Sequence, residues 1–101
     1  MICVENINDN DKSLLTIVFD RIVLKHLKCK ADDYLNIMQS KFNLCYFMII
    51  KADNGYRIRR YAKKLYYIQI NFRYDGLDSF ELKEFNYFLK KNNIIRLIIK
   101  N

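Results

Sequence analysis

Cationic side chains crowd one stretch of the chain, residues 51–73, where tyrosines interrupt them. The cations are Lys51, Arg57, Arg59, Arg60, Lys63, Lys64 and Arg73, and the only acidic residue among them is Asp53. Arginine presents planar, fork-like donors that match phosphate oxygens, and such contacts give affinity without base readout. Tyr61, Tyr66 and Tyr67 are near enough in sequence to stack on unpaired bases. The pattern predicts a nucleic-acid interface; the alternative is a charged sheet edge that prevents aggregation.

Residue types that carry catalysis are sparse. His26 is the only histidine, and no nucleophile motif flanks it. The two glycines are too far apart to build a phosphate-binding loop. The pair Asp32–Asp33 favours a helix start, because carboxylates complement the positive end of the helix dipole. The three cysteines are widely spaced without a CxxC motif, which favours neutral thiols over a zinc site. We therefore expect no enzyme activity, no cofactor and no metal.

Composition points to polyanionic partners. The 101-residue chain carries a net charge of +7, and its pI is near 9.4. This balance favours nucleic acid first and an anionic membrane surface second. The longest apolar run, residues 44–50, is far shorter than the roughly 20 residues of a membrane-spanning helix, and we expect no membrane partner. The chain is rich in Ile, Asn, Lys, Tyr and Phe, whose A/T-rich codons indicate an AT-rich genome such as that of an organelle.

The first half of the chain predicts a loose start, a strand and a helix. Residues 1–12 are polar and predict a loosely ordered segment. Residues 13–23 are rich in β-branched side chains and predict a strand, with a helix entered near Asn10 or Asp11 as the alternative. A helix is predicted within residues 24–42, with Tyr34, Leu35, Met38 and Phe42 on its core face.

The second half predicts three strands, a helix and a last strand. Residues 44–52 form an apolar run typical of a buried strand, and the turn at 53–55 predicts a hairpin with residues 56–61. Residues 65–74 alternate, so one face is core and the other is wet or contacts a partner. One face carries Tyr66, Ile68, Ile70, Phe72 and Tyr74, and the other carries Tyr67, Gln69, Asn71 and Arg73. A capping box at 78–81 predicts a helix to residue 91, and residues 94–100 predict a strand.

With residues 56–61 and 65–74 taken as one strand position after the turn, the predicted order is β-α-β-β-α-β. This order is that of the α+β ferredoxin-like fold, in which two helices cover one face of a four-stranded antiparallel sheet. We expect residues 13–101 to form this single domain and to bind RNA.

Residues 53–100 resemble small-subunit ribosomal protein six of bacteria and organelles. The family's acidic residue, glycine, arginine and tyrosine after the second strand are matched by Asp53, Gly55, Arg57 and Tyr61. Its aromatic-led strand is matched by residues 66–72, and its closing strand by "IIRLIIK" at 94–100. Small-subunit ribosomal protein ten, which shares the strand order, is the second family considered.

The resemblance implies a structural protein of the small ribosomal subunit. It implies rRNA of the central domain and small-subunit protein eighteen as partners, with a mitochondrial ribosome as the location. Carried over by position, the RNA contacts would be Arg57, Arg96 and Lys100. Charge alone adds four candidates: Arg59, Arg60, Lys63 and Lys64. The alternative function is that of a small phage or viral protein that binds and inhibits a nucleoprotein complex.

Overall fold

The computed structural model describes residues 1–5, 14–43, 45–71 and 85–99. Within these ranges the chain forms one helix, α1 (Arg21–His26), and nine strands. The strands are β1 (Ile2–Glu5), β2 (Leu14–Asp20), β3 (Tyr34–Gln39), β4 (Tyr46–Ala52), β5 (Tyr56–Arg57), β6 (Arg59–Ala62), β7 (Leu65–Asn71), β8 (Phe85–Lys90) and β9 (Ile94–Ile99).

The strands form two antiparallel sheets. The four-stranded sheet has the order β1-β2-β7-β6, and the five-stranded sheet has the order β5-β3-β4-β9-β8. Buried side chains from both sheets and from α1 form one hydrophobic core. The ferredoxin-like prediction is therefore wrong, because the described chain is mostly β, with two sheets and one short helix.

The helix predicted within residues 24–42 is wrong for most of that range. Leu35 and Ile37 are buried, whereas Tyr34, Asn36 and Met38 are exposed, which is the alternation of a strand. The side chains expected on one helix face therefore lie on opposite faces of β3. The pairing of β3 with β4 decides the outcome, since it buries the alternate apolar side chains.

The predicted hairpin between residues 44–52 and 56–61 is also wrong. β4 occupies most of the predicted first strand, but β5 pairs with β3 rather than with β4. The chain then crosses to the other sheet at Ile58, which is fully buried. The backbone N–H of Ile58 donates to the carbonyl oxygen of Asp33 at 2.8 Å, and the N–H of Asp32 donates to the carbonyl of Ile58 at 2.9 Å. The two aspartates thus belong to this crossing and not to a helix start.

The second predicted helix is wrong where the structure describes it. Residues 78–84 lie outside the described residues, and Phe85–Lys90 form β8, paired with β9. Asn92 and Asn93 adopt φ angles of 64° and 61°, so these asparagines make a hairpin turn between β8 and β9. The same residues were expected to end a helix, because a left-handed asparagine serves both purposes.

Several strand predictions are confirmed. β2 covers residues 14–20 of the predicted strand 13–23, whose last three residues belong to α1 instead. Residues 44–52 contain β4, and residues 94–100 contain β9. β7 covers residues 65–71 of the predicted strand 65–74, and its alternation is confirmed: the face with Tyr66, Ile68 and Ile70 is the one in the core. At the amino end, β1 pairs with β2, whereas residues 6–12 lie outside the described ranges.

Asp20 joins the end of β2 to the start of α1. Its Oδ1 accepts the backbone N–H of Val23 at 3.2 Å, and its Oδ2 lies 3.0 Å from the Met1 amine. Partial burial disfavours the ionised carboxylate, but these hydrogen bonds outweigh burial and lower the pKa of Asp20. Asp20 is therefore a helix cap that also holds the amino end of β1.

The Asp20→Asn variant tests the charge of this cap separately from its hydrogen bond. Because the folded-state pKa is lowered, the carboxylate contributes stability above its unfolded pKa of about 3.9 and loses it as pH falls. Asparagine keeps the capping oxygen. In urea unfolding we expect the wild type to be more stable than Asp20→Asn at pH 6 and the difference to shrink as pH falls through the lowered folded-state pKa. A difference independent of pH would contradict the role of the charge.

Candidate nucleic-acid interface

The β6–β7 hairpin carries most of the predicted cations. β6 is the edge strand of the four-stranded sheet, with Arg59 opposite Tyr67 and Arg60 opposite Tyr66. The register shifts between Arg60 and Ala62, so a bulge lies at Tyr61. All four residues of β6 are exposed. An exposed, bulged edge strand presents its side chains to a partner and discourages pairing with another strand.

Lys63 and Lys64 form the tip of this hairpin, and both are exposed. Lys64 has a φ of 67°, in the left-handed region that asparagine tolerates better than most residues. We call Arg59, Arg60, Lys63 and Lys64 the hairpin cations. No hydrogen bond or ion pair to another described residue neutralises any of them. Within the described part of the chain, no carboxylate competes with an external anion for their charge.

Two tyrosines flank the hairpin cations. Tyr61, which is 43% exposed, meets Tyr67 edge to face, with ring centroids 6.0 Å apart and an interplanar angle of 78°. Tyr66 is only 7% exposed and stacks on Phe19 in the core, with centroids 6.4 Å apart. Of the three tyrosines suggested for base stacking, Tyr66 therefore belongs to the core, and Tyr61 is the accessible one.

A polar groove of about 220 Å³ lies beside the hairpin. Its lining residues are Gly55, Tyr56, Arg57, Arg59, Tyr67 and Gln69. Arg57 donates from Nη2 and Nε to Oδ1 of Asp32, at 2.7 and 3.0 Å. This pair is exposed and contributes little to stability, but it orients the guanidinium, whose other donors have no partner among the described residues. The groove thus brings Arg57 and Arg59 together as a candidate phosphate site.

Gly55 permits the tight approach that leads the chain into β5. Its φ is 129°, a conformation that side chains rarely adopt. A Cβ atom there would lie 2.7 Å from the backbone carbonyl oxygen of Leu35. The position of Arg57, two residues later, depends on this approach.

The remaining predicted contacts lie elsewhere. Arg96 is on β9, opposite Met48 of β4 and Phe88 of β8. Its neighbours Ile95 and Leu97 are buried, so Arg96 lies on the outer face of the five-stranded sheet, turned away from the core. The structure does not bring it to the hairpin. Lys100 lies outside the described residues.

Other potentially reactive groups have structural surroundings. Nε2 of His26 lies 2.8 Å from the carbonyl oxygen of Lys90 and 3.0 Å from that of Ile94, which ties α1 to the β8–β9 turn. Burial raises the pKa of the Cys29 thiol to about 11, although the charge of Lys51 opposes the shift. This thiol is therefore protonated at neutral pH and is a poor nucleophile.

Neither a metal-binding cluster nor a membrane-spanning helix is found within the described ranges. No group of three or more His, Cys, Asp and Glu side chains is placed to hold a metal ion there. The same part of the chain contains no helix long and apolar enough to cross a membrane.

Comparison with known proteins gives no relative. No protein-family model, no curated protein and no solved structure matches the chain.

Sequence reasoning missed two features of the surface. One is the contact of Asp32 with Arg57, which depends on two segments far apart in sequence. The other is the set of exposed aromatic side chains on the outer face of the five-stranded sheet, among them Tyr46 and Phe88. Buried and exposed side chains alternate in residues 34–39, which form β3, the first strand of this sheet in chain order. That alternation indicates a strand, whereas a helix is predicted there from the sequence.

Proposed function

We propose that this chain is a non-catalytic RNA-binding protein that docks on the phosphate backbone through its β6–β7 hairpin. The observation that carries the proposal is the set of four exposed hairpin cations, none neutralised by a described residue, on an edge strand and its tip. The groove with Arg57 and Arg59 extends this surface, and the net charge of +7 favours a polyanion.

The finer form of the proposal is a ribosomal role. The chain would bind small-subunit rRNA beside protein eighteen in a mitochondrial ribosome. Support comes from the resemblance of Asp53, Gly55, Arg57, Tyr61 and the closing strand to ribosomal protein six. The fold implied by that resemblance is wrong, so the ribosomal role rests on these motif residues alone.

The second candidate is a phage or viral protein that binds and inhibits a nucleoprotein complex. It is favoured by exposed apolar side chains on the outer face of the five-stranded sheet, where Met38 is 37%, Tyr46 40% and Phe88 42% exposed. Exposed aromatic and methionine side chains are typical of protein interfaces.

Binding to an RNA duplex of about 16 base pairs tests the RNA proposal. Anisotropy of the labelled duplex is followed from about 50 to 300 mM KCl. With four to five phosphate contacts, the logarithm of the association constant should fall with the logarithm of salt at a slope of roughly −3 to −4. Absence of binding at about 50 mM salt, or a slope near zero, would refute the proposal.

Gradient sedimentation of the tagged protein from its native lysate tests the ribosomal form. We expect co-migration with the small subunit that ribonuclease abolishes. Co-migration with an unrelated complex would move the assignment to the second candidate.

A further inference from the structure

The outer face of the five-stranded sheet presents aromatic side chains around Arg96, with Arg57 farther along the same face, opposite Tyr34. Arg96 is directly opposite Met48 on one side and Phe88 on the other, and Met48 is opposite Met38. Tyr46 lies two residues from Met48 on β4 and therefore on the same face. Tyr46 and Phe88 are about 40% exposed, unlike the core residues Phe47 and Leu97 beside them on the opposite face. The face is thus accessible, and its rings are separated by a cation.

A concavity of about 300 Å³ opens on this face. Met38 and Met48 supply apolar surface to it, Tyr46 supplies a ring, Ser40 a hydroxyl and Arg96 a guanidinium. Its volume lies at the lower end of the range of small-molecule sites. A planar base against Tyr46, with its phosphate near Arg96, matches these donors and surfaces.

Charge decides which kind of partner fits. No described residue forms a hydrogen bond or ion pair with the Arg96 side chain. A second cation lies nearby, because Nζ of Lys90 lies 5.3 Å from the centroid of the Phe88 ring. At the other end of this face, Arg57 engages Asp32. A second copy of this chain is disfavoured, since a two-fold pairing of the faces would juxtapose arginines.

We infer that the outer face of the five-stranded sheet binds single-stranded RNA, with bases stacked on Tyr46 and Phe88 and a phosphate at Arg96. The inference rests on the proposed RNA-binding function and adds the class of RNA. β4, β9 and β8 are neighbours, so Tyr46 and Phe88 lie two strand spacings apart across the sheet and are offset by two residues along it, about 12 Å in all. Arg96 lies on the intervening strand, directly opposite Phe88 and diagonal to Tyr46. Unpaired bases stack on aromatic and guanidinium planes, whereas paired bases do not reach them.

Binding of a labelled oligouridine of about ten nucleotides tests the inference, with the RNA duplex as the comparison. Tyr46→Ala and Phe88→Ala should each weaken oligouridine binding about tenfold or more. Tyr46→Phe keeps a ring and should retain affinity, whereas Arg96→Gln should weaken binding. Duplex affinity should stay within about twofold of wild type in all four variants, because the hairpin is untouched. Circular dichroism and urea unfolding show separately that each variant is folded.

Exposed positions on α1 provide matched controls. Ile22→Ala removes an apolar side chain that is 66% exposed, and Arg21→Gln removes an exposed arginine. Neither should change oligouridine binding by more than about twofold.

The outcomes separate this inference from the proposed function. Unchanged oligouridine affinity in Tyr46→Ala and Phe88→Ala overturns the inference and leaves the face to a protein partner, even if the duplex binds. Selective loss of oligouridine binding in these variants supports it. If the duplex does not bind but oligouridine does and Tyr46→Ala abolishes that binding, the hairpin proposal fails while the outer-face site stands.

Discussion

Replacing the four hairpin cations with neutral residues should reduce affinity for duplex RNA by roughly 1,000-fold at about 0.1 M salt. The variant is Arg59→Gln, Arg60→Gln, Lys63→Gln and Lys64→Asn. Each phosphate contact contributes about −0.7 to −0.9 to the salt slope, so four lost contacts should flatten the slope by about 3. A salt concentration of 0.1 M lies one decade below 1 M. A change of about 3 in the slope of the logarithm of affinity against the logarithm of salt therefore corresponds to a roughly thousandfold loss of affinity at 0.1 M. Anisotropy titrations over a series of KCl concentrations measure both quantities.

The variant is designed to leave the fold intact. The four side chains are exposed, so their replacement removes no buried surface. Asparagine at position 64 suits the left-handed φ of 67° that lysine adopts there. Circular dichroism and urea unfolding should therefore match the wild type to within about 0.5 kcal/mol.

The segment around α1 supplies a control of equal charge. Arg21, Lys25, Lys28 and Lys30 are exposed, and Lys28 has a φ of 55°, so Lys28→Asn parallels Lys64→Asn. The control variant combines it with glutamine at the other three positions. If RNA is attracted only by net charge, the two variants should lose equal affinity, and that result would contradict docking through the hairpin. We expect the control variant to lose several-fold less affinity for duplex RNA than the hairpin variant.

Gly55→Ala should lower the free energy of unfolding by about 3 kcal/mol or more. The backbone at φ 129° is strained for any residue with a Cβ, at a cost of roughly 1–3 kcal/mol. The added methyl would also lie 2.7 Å from the carbonyl oxygen of Leu35, and a backbone atom in a sheet yields less easily than a side-chain end. For a domain of this size, the melting temperature should fall by about 12 °C or more.

Thermal and urea unfolding of Gly55→Ala beside Asn54→Ala provide the measurement. Asn54 is exposed, and its φ is not positive, so Asn54→Ala should change stability by less than about 0.5 kcal/mol. A loss below about 1 kcal/mol in Gly55→Ala would mean that the turn relaxes without the Leu35 contact. Because Gly55 leads into β5, the variant should also displace Arg57 from Asp32.

Local pattern predicted strands well where one face is buried. The alternation in residues 65–71 placed Tyr66, Ile68 and Ile70 on one face, which is the one in the core. The apolar run at 44–52 and the closing strand at 94–100 were likewise recognised, because β-branched side chains in short runs favour extended backbone. The helix predictions failed where side chains with helical spacing, such as Leu35 and Met38, occur in a segment that pairs with a distant strand.

For the candidate site, too, the sequence identified residues that are close along the chain and failed for residues whose position depends on strand pairing. The cations and tyrosines of residues 56–67 were identified from local sequence, because the hairpin is built from adjacent residues. Arg96 was expected to share the RNA contact with the hairpin cations, but it lies on the outer face of the five-stranded sheet, whereas the hairpin belongs to the four-stranded sheet. Tyr66 was expected to be available to bases, but it packs on Phe19. Neither outcome follows from composition, since both depend on which sheet each strand joins.

The sequence by itself determined the charge, the scarcity of catalytic groups and most of the strands, because these follow from residue type and from period-two alternation. Only the tertiary structure decided that β5 pairs with β3 rather than with β4, that residues 85–90 form a strand, and which cations share a surface. The physical reason is that strand pairing is a long-range interaction. Hydrogen bonds and buried surface between distant segments override local helix propensity and turn signals, and they fix which face each side chain presents.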